Sequence, residues 1–229
     1  MKRNDRTALS AFLRILPWIV ALLAAAAVGY YILFPGWGYF HSDCTDTILW
    51  AQASYDAGAL FNPDFEYACL LPFGGQLLML PFIGLFGVST TTHAIGMLLF
   101  LLLFTASLLL LGRALKWTPG WSAALAALTL LLLSSSDKLR EIFWGHIIYY
   151  SLGILFLIVG LGLTLSALSA LEERNGPLGK KAIAWIAGSA VWMFLCSTNG
   201  LQAMTIFAIP LLAGLAGERF FDTRRKWAD

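Results

Sequence analysis

Long apolar runs separated by short polar stretches make up most of this chain. A helix that crosses a membrane needs about 20 mostly apolar residues, because the hydrocarbon core is about 30 Å thick. The pattern predicts six such helices: Ile15–Phe34, Thr91–Leu111, Thr118–Ser135, Ile147–Leu171, Ala182–Ser197 and Leu201–Gly217. Gly29, Gly153, Gly160, Gly162, Gly188 and Gly214 read as close-packing positions between them. One further apolar stretch, Ala68–Val88, is as long as a span. Pro72, Gly74, Gly75, Pro81, Gly84 and Gly87 break any continuous helix there. It reads as short interfacial or re-entrant helices lying against the outer leaflet. The expected fold is an all-α polytopic membrane protein, a single transmembrane domain over residues 1–229. Its first extracytoplasmic loop, 35–90, is long and holds short amphipathic or juxtamembrane helices.

Composition excludes the alternatives. The chain is 59% hydrophobic and 12% charged, whereas a soluble domain carries about 25% charged residues. A net charge of +2 gives no reason to expect a nucleic-acid partner. With 16 Phe, 9 Trp and 3 Cys, the chain is neither disordered nor a disulfide scaffold. The partner implied is the lipid bilayer.

Basic residues near span ends favour the cytoplasm. With the N-terminus inside, 13 of the 15 Lys and Arg fall on the cytoplasmic side, and Lys138 and Arg140 fall outside. A seventh span at Ala68–Val88 would leave six inside and nine outside, which argues against it. The basic head and the Ala24–Ala27 run also resemble a cleavable leader, but the apolar run through Phe34 favours an uncleaved anchor. The expected location is the plasma membrane of a bacterium, multi-pass, with a cytoplasmic N-terminus.

The unusual residues then lie outside. The loop 35–90 contains Asp43, Asp46, Asp56, Asp64 and Glu66 without a basic partner. Residues 41–58 read as a helix that Ser42 or Asp43 caps and Gly58 ends. Its Ile48, Leu49, Ala53 and Tyr55 offer a face that can lie on the membrane. Asp43 and Asp46 are three apart and point to similar sides. They serve as the two ends of a capping box, as a general base for an acceptor hydroxyl, or as both.

The second outer segment carries Asp137, Lys138, Arg140 and Glu141. A cationic pair beside an acidic loop suits a phosphate-bearing substrate, and arginine binds phosphate through its fork. The plainer alternative is local pairing of Lys138 and Arg140 with Asp137 and Glu141. All three histidines, His41, His93 and His146, map to the outer side; His146, beside Tyr149 and Tyr150, is the strongest binding candidate among them. Aromatic belts explain those tyrosines equally well. His41-x-Asp43-x-x-Asp46 is not a recognised metal cage, so neither a metal nor a cofactor is expected. Cys44 and Cys69 either form a bridge, worth about 3 kcal/mol in the chain-entropy picture, or remain free buried thiols.

An inward N-terminus, one span and a long acidic outer loop with a helix resemble the GT-C glycosyltransferases, which include the protein O-mannosyltransferases and the aminoarabinose transferases acting on lipid A. The residues that match the family's early acidic position are Ser42-Asp43-Cys44-Thr45-Asp46, followed by Trp50-Ala51 and Gly58. The family's adjacent Asp-Glu form is absent. The resemblance implies sugar transfer from a polyprenyl-phosphate donor to an acceptor on the extracytoplasmic face. It implies Asp43, or Asp46, as the base, and Arg140 with Lys138 on the lipid phosphate. Trp50, Tyr67 and Trp144 would stack on sugar rings. The family's shared core has seven spans, so six imply the N-terminal part of a longer protein. Two other classes compete: a transporter or flippase, which intramembrane charge would mark, and a scaffold whose outer loop binds a partner. None of the six predicted spans has a charge near its middle.

Overall fold

The computed structural model describes residues 3–36, 40–60, 62, 64–65, 74–172, 178–198 and 204–228. The chain is all-helical, with no strand among the described residues. Three helices are long and apolar enough to cross a membrane: α1 (Arg3–Leu33) over Phe12–Leu33, α4 (Thr90–Ala114) along its length, and α7 (Tyr149–Glu172) over Tyr150–Glu172. Between the first two lie α2 (Ser42–Asp56) and α3 (Gly75–Phe86). The 12 residues of α3 rise about 18 Å, too short to cross. The stretch that imitates a seventh span thus contains a short helix with Pro81 inside it.

The third predicted span corresponds to one short helix, and the chain bends sharply after it. α5 (Pro119–Leu133) starts where Thr118 caps and Pro119 occupies the first turn. Its 15 residues rise about 22 Å. The chain then turns by 113° into α6 (Asp137–Arg140) and a π-helical turn, Glu141–Gly145. Ser134 holds the corner. Its carbonyl accepts from Arg140 Nη1 at 2.7 Å, and its hydroxyl accepts from Trp144 Nε1 at 3.0 Å. The two halves count as a fourth span only if taken together. α8 (Lys180–Thr198), a π-helical turn (Met204–Ala208) and α9 (Ile209–Ala228) complete the described chain. α9 continues eleven residues past Gly217, where the apolar pattern stops.

α4 is central, packed on α1, α3, α5 and α7, while α1 lies along α5 and α8 along α7. Buried Met97, Phe100 and Phe104 of α4 meet Ala24 and Val28 of α1, Ala126 and Leu130 of α5, and Leu155 of α7. The other faces stay greasy: Leu22 is 71% exposed, Leu102 63% and Leu128 67%. Apolar surface on that scale fits lipid rather than water. Hydroxyls and indoles join helices from within. Thr164 and Ser189 hydroxyls lie 2.8 Å apart between α7 and α8, and Trp192 Nε1 donates to the Phe156 carbonyl at 3.0 Å.

Close approach needs glycine at only some of the expected positions. A Cβ on Gly160 would strike Phe207, and one on Gly162 would come within 2.9 Å of Leu110. At Gly29 and Gly188 the nearest atoms are 3.6 and 3.9 Å away, and nothing lies within 4 Å of Gly214. Gly96, pressed by Met79, and Gly112, pressed by Ser122, are among the close approaches that the apolar pattern does not reveal.

Candidate functional site

Polar side chains gather at the end of the bundle where α1 finishes. α2 enters this end with an unusual cap. His41, not Ser42 or Asp43, occupies the capping position, and its Nδ1 accepts from the Asp43 backbone N–H at 3.3 Å. Asp43 lies inside the helix rather than at its cap: its carboxylate accepts from the Ser42 hydroxyl at 3.3 Å, and Thr45 Oγ1 donates to the Ser42 carbonyl at 2.6 Å. Gly58 does end the helix, with φ of +61°.

The buried face of α2 also differs from the expected membrane-lying one. Cys44, Thr47, Ile48, Ala51 and Ser54 recur at helical spacing and face the protein. Leu49 and Tyr55 point outward and are exposed. α3 comes very close here: a Cβ on Gly75 would sit 2.9 Å from the Ile147 carbonyl oxygen and 3.0 Å from Thr47. That approach clamps α2, α3 and the start of α7 together.

The turn before α7 brings in His146, which is 3% exposed. Its ring meets His41 edge to face with centroids 5.7 Å apart. His41, Asp43 and His146 each present one potential ligand atom, and the three atoms lie within 4.8 Å of one another. Glu141 approaches from the other side, its Oε1 3.6 Å from His41 Nε2. His93, at the start of α4, lies within electrostatic reach of both other histidines, with its ring edge-on to Phe40 at 5.2 Å. Burial pulls the pKa of His146 below its ordinary value, and the His41 ring acts in the same direction, while Asp43 and Glu141 oppose it. Burial pushes the Cys44 thiol up, and the carboxylates of Asp43, Glu141 and Asp46 add to that. Cys44 is a free thiol that donates to the Gly145 carbonyl at 3.1 Å. Cys69, its suggested partner, lies outside the described residues, as do Glu66 and Tyr67.

The two basic residues are engaged locally. Lys138 donates to both Glu141 oxygens at 3.0 Å. Arg140 pairs with Asp137, donates to the Ser134 carbonyl and lies 5.7 Å from the centre of the Tyr31 ring. Asp46 is buried at 6% exposure, one turn deeper than Asp43. Trp50 is buried with one ring face stacked on Phe65, centroids 5.9 Å apart. Trp144, expected to face a sugar, is 1% exposed and packs among Phe100, Phe104 and Phe143. Tyr149 opens α7; its side chain lies outside the described residues. Of the sequence candidates, Asp43 and His146 come together, with Lys138 one residue removed through Glu141. Glu141 and His41 are the members that the sequence pattern underrated.

Comparisons with family models, with curated proteins and with solved structures gave no match.

Proposed function

We propose that the chain is a polytopic membrane glycosyltransferase of the GT-C kind, which moves a sugar from a polyprenyl-phosphate donor to an acceptor on the extracytoplasmic face. The observation that carries this reading is the placement of Asp43. It opens α2 at one end of a lipid-compatible helical bundle, beside His41 and His146 and close to the segment that bears Lys138 and Arg140. The skewed distribution of Lys and Arg assigns that end to the outside and the N-terminus to the cytoplasm. Six spans then follow, with α5 as the third, α6 in the outer segment after it, and α8 and the start of α9 as the last two.

The reaction this site would run is a displacement at the anomeric carbon. The Asp43 carboxylate takes the proton of the acceptor hydroxyl, and the oxygen forms a bond to the anomeric carbon. The bond from that carbon to the phosphate oxygen breaks, and its electron pair leaves with the polyprenyl phosphate. Arg140 and Lys138 would exchange Asp137 and Glu141 for the departing phosphate. Asp46, one turn on, is the alternative base.

Membranes containing Asp43→Asn and Asp46→Asn chains, supplied with labelled polyprenyl-phosphate-sugar, test the proposal. Loss of the base should slow transfer by about 10²–10⁴-fold. Transfer at the unsubstituted rate by both folded variants would sink the assignment. Solute uptake into proteoliposomes without any transfer would favour a transporter.

A further inference from the structure

Histidine is the commonest metal ligand because its neutral ring offers a bare nitrogen at physiological pH. Here an imidazole and a carboxylate at the start of α2 meet a second imidazole from the turn before α7, each with one donor atom within 4.8 Å of the others. Around a tetrahedral ion with bonds of about 2.0–2.2 Å, neighbouring donor atoms sit about 3.3 Å apart. Modest rotation of His41 and Asp43, both partly exposed at the helix start, closes that gap. His146 is 3% exposed, and its buried Nδ1 has no hydrogen-bond partner among the described residues. A buried polar atom left unmet is a cost that a bound ion relieves where protein groups do not.

We propose that His41, Asp43 and His146 form a binding site for a divalent ion of the zinc class. Two nitrogen donors and one oxygen select borderline ions over magnesium and calcium, which prefer all-oxygen shells. With Nδ1 on the ion, Glu141, whose Oε1 lies 3.6 Å from His41 Nε2, would move in to accept the proton on that nitrogen, as carboxylates behind ligating histidines do. The cost is the long hydrogen bond from the Asp43 backbone N–H to Nδ1, which the ion replaces. Three protein ligands leave a fourth position open, the arrangement of sites that bind water or substrate. The site stands whether or not the chain transfers sugar. With an ion bound, Asp43 is a ligand rather than a free proton acceptor.

The test uses the full chain, purified in detergent, stripped with chelator and titrated with Co²⁺ as a visible stand-in for Zn²⁺. One equivalent of Co²⁺ per chain should bind, with the visible absorption of a tetrahedral ion, and Zn²⁺ should displace it. Asp43→Asn and His146→Gln should each weaken binding about tenfold or more, and Glu141→Gln about tenfold. Asp56→Asn, at an exposed position at the far end of α2, should leave binding unchanged. Tryptophan fluorescence and gel filtration show which variants are folded; Asp43→Asn, at a partly exposed position, carries the test if His146→Gln does not fold. The proposal is overturned if no stoichiometric binding occurs, if binding survives Asp43→Asn, or if Mg²⁺ competes as well as Zn²⁺. None of these readouts involves sugar transfer, so failure here and failure of the transferase reading are separate results.

Discussion

His41 and His146 meet edge to face, ring centroids 5.7 Å apart, although one begins α2 and the other precedes α7. The contact closes a circuit. His41 caps α2 through Nδ1 and faces Glu141 through Nε2, and Glu141 in turn holds Lys138. The loop helix, the corner after α5 and the start of α7 are therefore joined through polar side chains as well as through the packing of Trp144 beneath them.

Trp144 is the first place to test that union. Its indole is buried among Phe100, Phe104 and Phe143, and its N–H reaches Ser134. Trp144→Ala should cost about 3–5 kcal/mol of stability. Ser134→Ala, which leaves the N–H unmet, should cost about 1–3 kcal/mol. Denaturation in detergent measures both. If Trp144→Ala keeps its stability and loses only sugar binding, the ring serves substrate rather than the corner.

The cations beside it should differ. Lys138 is an exposed partner of Glu141, and such a pair contributes about 0.2–1 kcal/mol. Arg140 holds Asp137, the Ser134 carbonyl and the Tyr31 face together. Arg140→Lys keeps the charge and loses the fork. Arg140→Lys should therefore destabilise the chain more than Lys138→Ala does, in the same denaturation series. Equal effects would mean that the corner does not depend on the guanidinium.

Much of this was legible in the chain and some was not, for physical reasons. The helices α1, α4 and α7 follow from unbroken apolar length, and the end of α2 follows from Gly58. The cap of α2 departs from the expectation because Ser42 and Asp43 are the customary capping types, whereas His41 acts through its ring Nδ1, with the ring packed against His146 from a distant segment. The resemblance puts Trp144 against a sugar ring, and nothing local in the sequence shows that a 113° turn folds it inward. The meeting of His41 with His146 is a tertiary contact between turns, and no periodicity carries it. Only the shared outward placement of the histidines hinted at it.

Helix packing gives a contrast between two glycines of similar sequence setting. A Cβ on Gly112 would press on Ser122, including its Cα at 3.0 Å, while one on Gly188 would meet nothing closer than 3.9 Å. Gly112→Ala should force α4 away from α5 and cost about 1–3 kcal/mol. Gly188→Ala should be neutral or slightly stabilising, because alanine suits a helix better. Equal thermal midpoints for the two would contradict the close contact of α4 and α5.

The Cys44 thiol should be unreactive. It is buried, bonded to the Gly145 carbonyl, and raised in pKa by burial and by the carboxylates around it. The thiolate is the reactive form. In a chain carrying Cys69→Ser and Cys196→Ser, maleimide should label Cys44 only after denaturation. Rapid labelling in the folded state would show that α2 does not pack as described.

The orientation is open to a direct measurement. Asp64 is exposed in the loop between α2 and α3, and Arg113 is exposed at the opposite end of α4. Cysteine is placed at each position in turn, in a background where the three native cysteines are serine. An impermeant maleimide added to intact cells should then label Asp64→Cys and spare Arg113→Cys. Permeabilised cells should label both. This outcome follows from charge alone: Arg113 and Lys116 lie in the group of cations that resists translocation, and the loop that contains Asp64 has no Lys or Arg to hold it inside. The reversed pattern would put the His41–Asp43–His146 cluster in the cytoplasm. A lipid-linked donor displayed on the outer leaflet could not reach it there, and the transferase reading would fail while the ion site would stand.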